Sequence, residues 1–140
     1  MNAKEYLLQI EKIDRMIQNK QIEVQRLKDF ATSTTAEMSG ERVQSTSNPQ
    51  RIADAIGDYI DLEAEVKRDI AELFAKKREI IGKIEQLNTT EYDILHKIYV
   101  QYLSFDEVAF SCNYSRSWVA TVHGRALQHL QDILKVNESV

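Results

Sequence analysis

From Ile52 to Leu87 an apolar side chain returns in steps that alternate strictly between four and three residues. The positions are Ile52, Ile56, Tyr59, Glu63, Val66, Ile70, Leu73, Lys77, Ile80, Ile84 and Leu87, with Glu63 and Lys77 the only polar intrusions. A mean step of 3.5 keeps these residues on one stripe of an α-helix, whereas the two-residue period of a strand would scatter them over both faces. The pattern therefore dictates a long helix with a coiled-coil-like seam. Asn48-Pro49 supplies its start, with Asn as cap and Pro at the first helical position. A second seam of the same kind, Tyr6, Ile10, Ile13, Ile17, Lys20, Val24, Leu27 and Ala31, marks another helix, with Asn2 as cap and Glu5 three residues on.

These seams predict helices over residues 2–31 and 49–88, folded back on each other as an antiparallel coiled-coil hairpin (residues 1–88). Polar residues in a seam commonly fix register and partner choice, which is the expectation for Glu63 and Lys77. Gly57 and Gly82 lie inside the second helix, each costing about 1 kcal/mol relative to Ala, and mark places of close helix approach. Apolar residues outside the seam, Leu7, Met16, Ile22, Ile60, Leu62, Phe74 and Ile81, widen the stripe beyond what two helices cover. That predicts packing against the rest of the chain or a homodimer. The intervening stretch 32–48, TSTTAEMSGERVQSTSN, is rich in Ser and Thr and loses the period. It reads as a loop, with Arg42 and the hydroxyls available to phosphates or a partner and Met38 and Val43 able to tuck it down.

Residues 89–136 read differently. Thr90, with Asp93 three residues on, can cap a helix carrying Leu95, Ile98, Tyr99, Tyr102 and Leu103. Ser104 and Glu107 form an S-x-x-E box ahead of Phe105, Val108 and Ala109. After the break Cys112-Asn113-Tyr114, Ser115 can cap a third helix whose inner face holds Val119, Val122, His123, Ala126, Leu127, Leu130 and Leu134. A long helix, a very short one, a tight turn and another long helix make a helix-turn-helix. The opposite face of the last helix carries Ser117, Ala120, Thr121, Gly124 and Gln128, with Arg116, Trp118 and Arg125 at its edges. Small residues let a backbone approach a major groove, and flanking arginines reach guanine edges or phosphates. The candidate DNA-binding residues are Ser115, Arg116, Ser117, Trp118, Thr121, Gly124, Arg125 and Gln128; residues 137–140 form a tail.

The stretch from Leu103 to Leu127 resembles region 4 of bacterial sigma-70 factors, which runs L-S-x-x-E-I-A, a turn, then S-x-x-T-V-x-S-x-x-x-R-A. Leu103, Ser104, Glu107, Val108, Ala109, Ser115, Val119, Arg125 and Ala126 match it; Trp118, Thr121 and Gly124 depart from it. Nearly the whole chain is similar to small proteins of Gram-positive phages and prophages, which begin M-N-A-K-E-Y-L, carry A-T-S-T-T and S-G-E-R-V-Q-S, and end in W-V-x-x-(L/V)-H-G-R-A-L. Those are grouped with the ArpU/RinA-type regulators of late transcription. The resemblance implies a transcriptional regulator of phage genes that binds double-stranded DNA and acts with RNA polymerase. The alternatives are a polymerase-docking module without DNA readout, or the small subunit of a DNA-packaging machine.

Composition bounds these readings. Among 140 residues, 43% are hydrophobic and 29% charged, with 4 Gly and 1 Pro, which describes a folded, all-α chain. One cysteine, Cys112, excludes an internal disulfide and a cysteine-based zinc site, and reads as a small buried residue at the turn. His96, His123 and His129 are too scattered for a metal site, and His123 falls on an inner face. The acids Asp54, Asp58, Asp61, Glu65, Asp69 and Glu72 recur at helical spacing as a solvated face. No P-loop, dinucleotide fingerprint, G-x-S-x-G or H-E-x-x-H occurs, so neither catalysis nor a cofactor is expected. A charged N-terminus and the lack of a long apolar run predict a cytoplasmic protein without a membrane anchor. The net charge is −4, and residues 89–140 hold four basic against six acidic residues. Phosphate neutralisation supplies most DNA affinity, so one copy is expected to bind weakly and to need a partner.

Overall fold

The computed structural model of the protein describes residues 1–39 and 49–138. Helices account for the architecture, and no strand occurs among the described residues. The helices are α1 (Ala3–Ser39), α2 (Pro49–Ile84), α3 (Thr89–Leu95), α4 (Phe105–Cys112) and α5 (Arg116–Glu138), with a π-helical turn, His96–Val100, continuing α3.

α1 starts where its cap predicts. The Asn2 side chain accepts the Glu5 amide at 2.8 Å, and the Glu5 carboxylate accepts the Asn2 amide at 3.2 Å. It does not stop at residue 31: residues 32–39, expected in the loop, are helical. Ser and Thr lower helix propensity by only a few tenths of a kcal/mol each, and Ala36, Glu37 and Met38 favour the helix; Gly40 is the first strong breaker. Residues 40–48 of the expected loop lie outside the described residues, as do the roles anticipated for Met38, Arg42 and Val43. α2 ends at Ile84, short of the predicted 88. A turn follows, in which Gln86 and Leu87 donate to the carbonyls of Lys83 and Ile84.

The chain groups into two compact units, Met1–Asp14 with Ala75–Val140, and Arg15–Phe74. The start of α1 and the end of α2 thus group with the C-terminal helices. In Arg15–Phe74, Ile17, Val24 and Val66 are buried. Lys20 pairs with Asp69 at 3.4 Å, Lys28 approaches Glu63 at 3.9 Å, and Phe30 stacks on Tyr59 with centroids 4.1 Å apart. Steps forward along α1 are thus matched by steps back along α2. The seam residue Glu63 also takes Lys67 at 2.9 Å, and that ammonium holds its carboxyl below the usual carboxylate range.

In the other unit Leu7, Ile10, Ile84, Ile94, Leu95, Val108, Val119 and Leu130 are the most deeply buried side chains. The Ala3 amide donates to the Gln131 side chain at 2.8 Å, tying the start of α1 to α5. Lys77, the second polar seam residue, bonds Asp14 at 2.7 Å, and Asp14 also accepts the Tyr102 hydroxyl. Both polar seam positions are therefore satisfied inside the chain.

Candidate nucleic-acid interface

The candidate face is aimed by α3 and α4. Asn88, not Thr90, caps α3: its side chain accepts the Glu91 amide at 2.9 Å. Asp93, expected to complete a box with Thr90, instead bonds Lys97 at 2.6 Å. The helix then widens, Gln101 donating to the His96 carbonyl at 3.0 Å, five residues back, and Leu103 to the Lys97 carbonyl at 2.9 Å. Tyr102 consequently leaves the helix with φ 61° and stands exposed, not on the inner face its spacing predicts.

α4 opens on the predicted capping box: Ser104 accepts the Glu107 amide at 3.1 Å and Glu107 accepts the Ser104 amide at 3.2 Å. It closes on Asn113, at φ 57° and ψ 36°, with the Tyr114 amide donating to the Ala109 carbonyl at 3.0 Å. Asn tolerates this left-handed conformation better than other side chains, and the returning bond satisfies a carbonyl at the helix end. Ser115 then caps α5, accepting the Trp118 amide at 3.0 Å. Only three residues separate α4 from α5. The pair is locked by Ile94, Val108, Ala109, Val119 and Val122, with Ile98, Leu103, Phe105 and Cys112 packed around them. Cys112, expected buried in the turn, is instead half-buried as the last residue of α4.

With Val119, Val122, Ala126 and Leu130 turned inward, Ser115, Arg116, Ser117, Trp118, Thr121, Gly124, Arg125 and Gln128 all stand exposed. A Cβ added at Gly124 would meet nothing within 4 Å, so the backbone there is bare and open. Arg125 lies over Trp118, 6.0 Å from its ring centroid, and Tyr114 meets the same indole edge-on at 6.4 Å. Trp118 and Arg125 also border a groove whose other wall is the start of α3, Asn88–Glu91. Two features moderate the surface. Arg116 is drawn toward Asp106, with Nε 3.6 Å from the carboxylate in an exposed pair. The Thr121 hydroxyl donates back to the Ser117 carbonyl at 3.0 Å, leaving it an acceptor toward solvent.

The family profile described as a protein of unknown function, DUF1492, matches residues 31–131. The chain belongs to the DUF1492 family. No curated protein and no solved structure matches it. The DUF1492 match takes in α2, α3, α4 and most of α5, hence the whole candidate face, and leaves residues 1–30 outside.

Behind the face, two histidines hold this part of the DUF1492 chain together. His123 is half-buried between Tyr99 and Phe105, with Nε2 2.8 Å from the Tyr99 hydroxyl. Burial pushes its pKa below the ordinary value, helped by the charge of Lys4, and raises that of Tyr99. The satisfied inner-face histidine predicted from the sequence is what the structure shows. His129 is a contact the sequence reading missed: its Nδ1 lies 2.8 and 2.9 Å from the two oxygens of Glu91, a carboxylate only 2% exposed. The pair is separated by 38 residues, and no local pattern links them. Among the described residues no cluster of three His, Cys, Asp or Glu side chains could hold a metal ion, and no helix is long and apolar enough to cross a membrane.

Proposed function

We propose that this protein is a sequence-specific, double-stranded-DNA-binding regulator of phage or prophage genes, reading the major groove with α5. On this reading residues 1–88 are a coiled-coil hairpin and residues 89–136 a sigma-region-4-like helix-turn-helix. The observation that carries it is the outer face of α5: a helix fixed by a capped three-residue turn, with small polar side chains and open backbone at Gly124 flanked by Arg116 and Arg125. Arg116, Ser117, Thr121, Arg125 and Gln128 are assigned to bases or phosphates, and Ser115 to aiming the helix. The link to ArpU/RinA-type late regulators rests on the sequence resemblance, in which Trp118, Val119, Val122, His123, Gly124, Arg125, Ala126 and Leu127 form the closing motif.

The test is retention of fragmented source-genome DNA by the purified protein at moderate salt, followed by sequencing. One or a few retained sites upstream of phage genes are expected. Arg116→Ala combined with Arg125→Ala is expected to abolish retention while leaving helicity intact, because both side chains are exposed. Retention unchanged by that double substitution would move the site off α5. One observation favours a second reading, docking to a protein such as RNA polymerase: Phe110, on α4, is 89% exposed. Retention of no DNA above background, with polymerase captured instead, would establish that reading. Salt separates the two, since phosphate contacts weaken steeply as counterions are added and an apolar docking face does not.

A further inference from the structure

We infer that a second copy of this chain docks antiparallel on an outer stripe of α2, forming a two-fold dimer. Within Arg15–Phe74, Ala53, Gly57, Ile60, Ala64, Lys67, Ala71 and Phe74 follow one another in alternating steps of four and three. This is a second heptad seam on the same helix, rotated by about 100° from the Ile52–Leu87 seam. Along it small residues recur at Gly57, Ala64 and Ala71, with larger ones at Ile60, Lys67 and Phe74 between them. Ile60 is 57% and Phe74 44% exposed, so the larger apolar members find little cover in the chain.

Gly57 sharpens the argument. Glycine is an unfavourable residue in a helix interior, and a Cβ built there meets nothing within 4 Å. Among the described residues nothing comes close enough to this place to ask for a glycine. A large side chain arriving from outside does.

The stripe is complementary to itself when two copies run in opposite directions about an axis near residue 65. Phe74 of each copy then lies over Gly57 of the other, Ile60 over Ala71, and the stem of Lys67 over Ala64. Large sits against small throughout. One position outward on α2, Asp61 of each copy comes opposite Arg68 of the other, twice by symmetry. Both are exposed, and neither has a partner among the described residues. A parallel pairing would set Phe74 beside Phe74 and Gly57 beside Gly57, losing the complementarity of size. The antiparallel arrangement closes on itself, as a two-fold interface must.

Sedimentation equilibrium of the full-length chain tests this, with circular dichroism to follow helicity. The wild type is expected to be a dimer. Ala64→Arg, at an exposed position, is expected to give a monomer of unchanged helicity. Asp61→Arg replaces two attractions with two repulsions and is expected to raise the dimer Kd by roughly tenfold, and Asp61→Arg with Arg68→Asp to restore it. A monomeric wild type over the accessible concentrations would overturn the dimer and leave the stripe to a different partner. A dimer indifferent to Ala64→Arg would overturn the surface, and a Kd unmoved by the single charge swap would overturn the register. None of these residues lies on α5, so the outcome is independent of whether the chain binds DNA.

Discussion

Glu91 shows how much one buried group can hang on one partner. Its carboxylate is almost wholly removed from water, and both of its oxygens are bonded by His129. Removing the half-exposed His129 leaves the buried carboxylate with its desolvation cost and without that bond. His129→Ala is therefore expected to cost about 1–3 kcal/mol of stability in urea unfolding. Glu91→Gln combined with His129→Ala, which removes the carboxylate as well, is expected to cost less than His129→Ala alone. His123 makes a separate prediction. Its folded pKa is depressed from 6.5, so the unfolded chain binds the proton more readily. Stability contributed by the neutral imidazole is complete above 6.5 and is lost as pH falls through that value toward the lower folded pKa. His96 is depressed for the same first reason, burial, and acts in the same direction. The melting temperature is expected to drop between pH 7.5 and 5.5, with a shallower slope in His123→Gln, which keeps a polar partner for Tyr99.

At the level of elements, the turn between α4 and α5 decides where the candidate face points. Asn113 accepts a left-handed conformation that costs a side chain without local hydrogen-bonding capacity about 1–2 kcal/mol. Asn113→Ala is expected to destabilise the chain by about 1 kcal/mol in thermal unfolding, and Asn113→Gly to be neutral or better. Loss of stability in the glycine variant equal to that in alanine would show that the Asn side chain, not its backbone, matters. The capping boxes at Asn2–Glu5 and Ser104–Glu107 were legible, because a cap is a contact between residues three apart. The cap at Asn88 was missed since Thr90 offers an equally good local pattern; choosing between them depends on where α2 stops. The π-helical turn at His96–Val100 was invisible for a related reason. It moves Tyr102 out of the helix and toward Asp14, a residue 88 positions away.

For the molecule as a whole, the chain groups into two units, one of which gathers the start of α1, the end of α2 and the C-terminal helices. Helices as short as α3 and α4 cannot enclose a core alone, so the unit recruits the start of α1 and the end of α2. If α2 pairs with a second copy as inferred above, folding and association are linked, and the melting temperature must rise with chain concentration. The same measurement on Ala64→Arg is expected to show no such dependence.

The heptad seams were readable residue by residue. Every apolar seam position in α1 and α2 is buried or half-buried, and the inner faces of α4 and α5 follow their predicted period. Periodicity reports which side of a helix must leave water, and that is a local property of the chain. What the seams could not report is the company each side chain keeps. Glu63 and Lys77 look in the sequence like devices for choosing a partner, yet Lys28 and Lys67 meet the first and Asp14 the second within one chain. Glu91 with His129, and Asp106 beside Arg116, are likewise set by packing. Helical faces follow from spacing along the chain, whereas the neutralisation of a polar group depends on distances between elements that only the folded chain brings together.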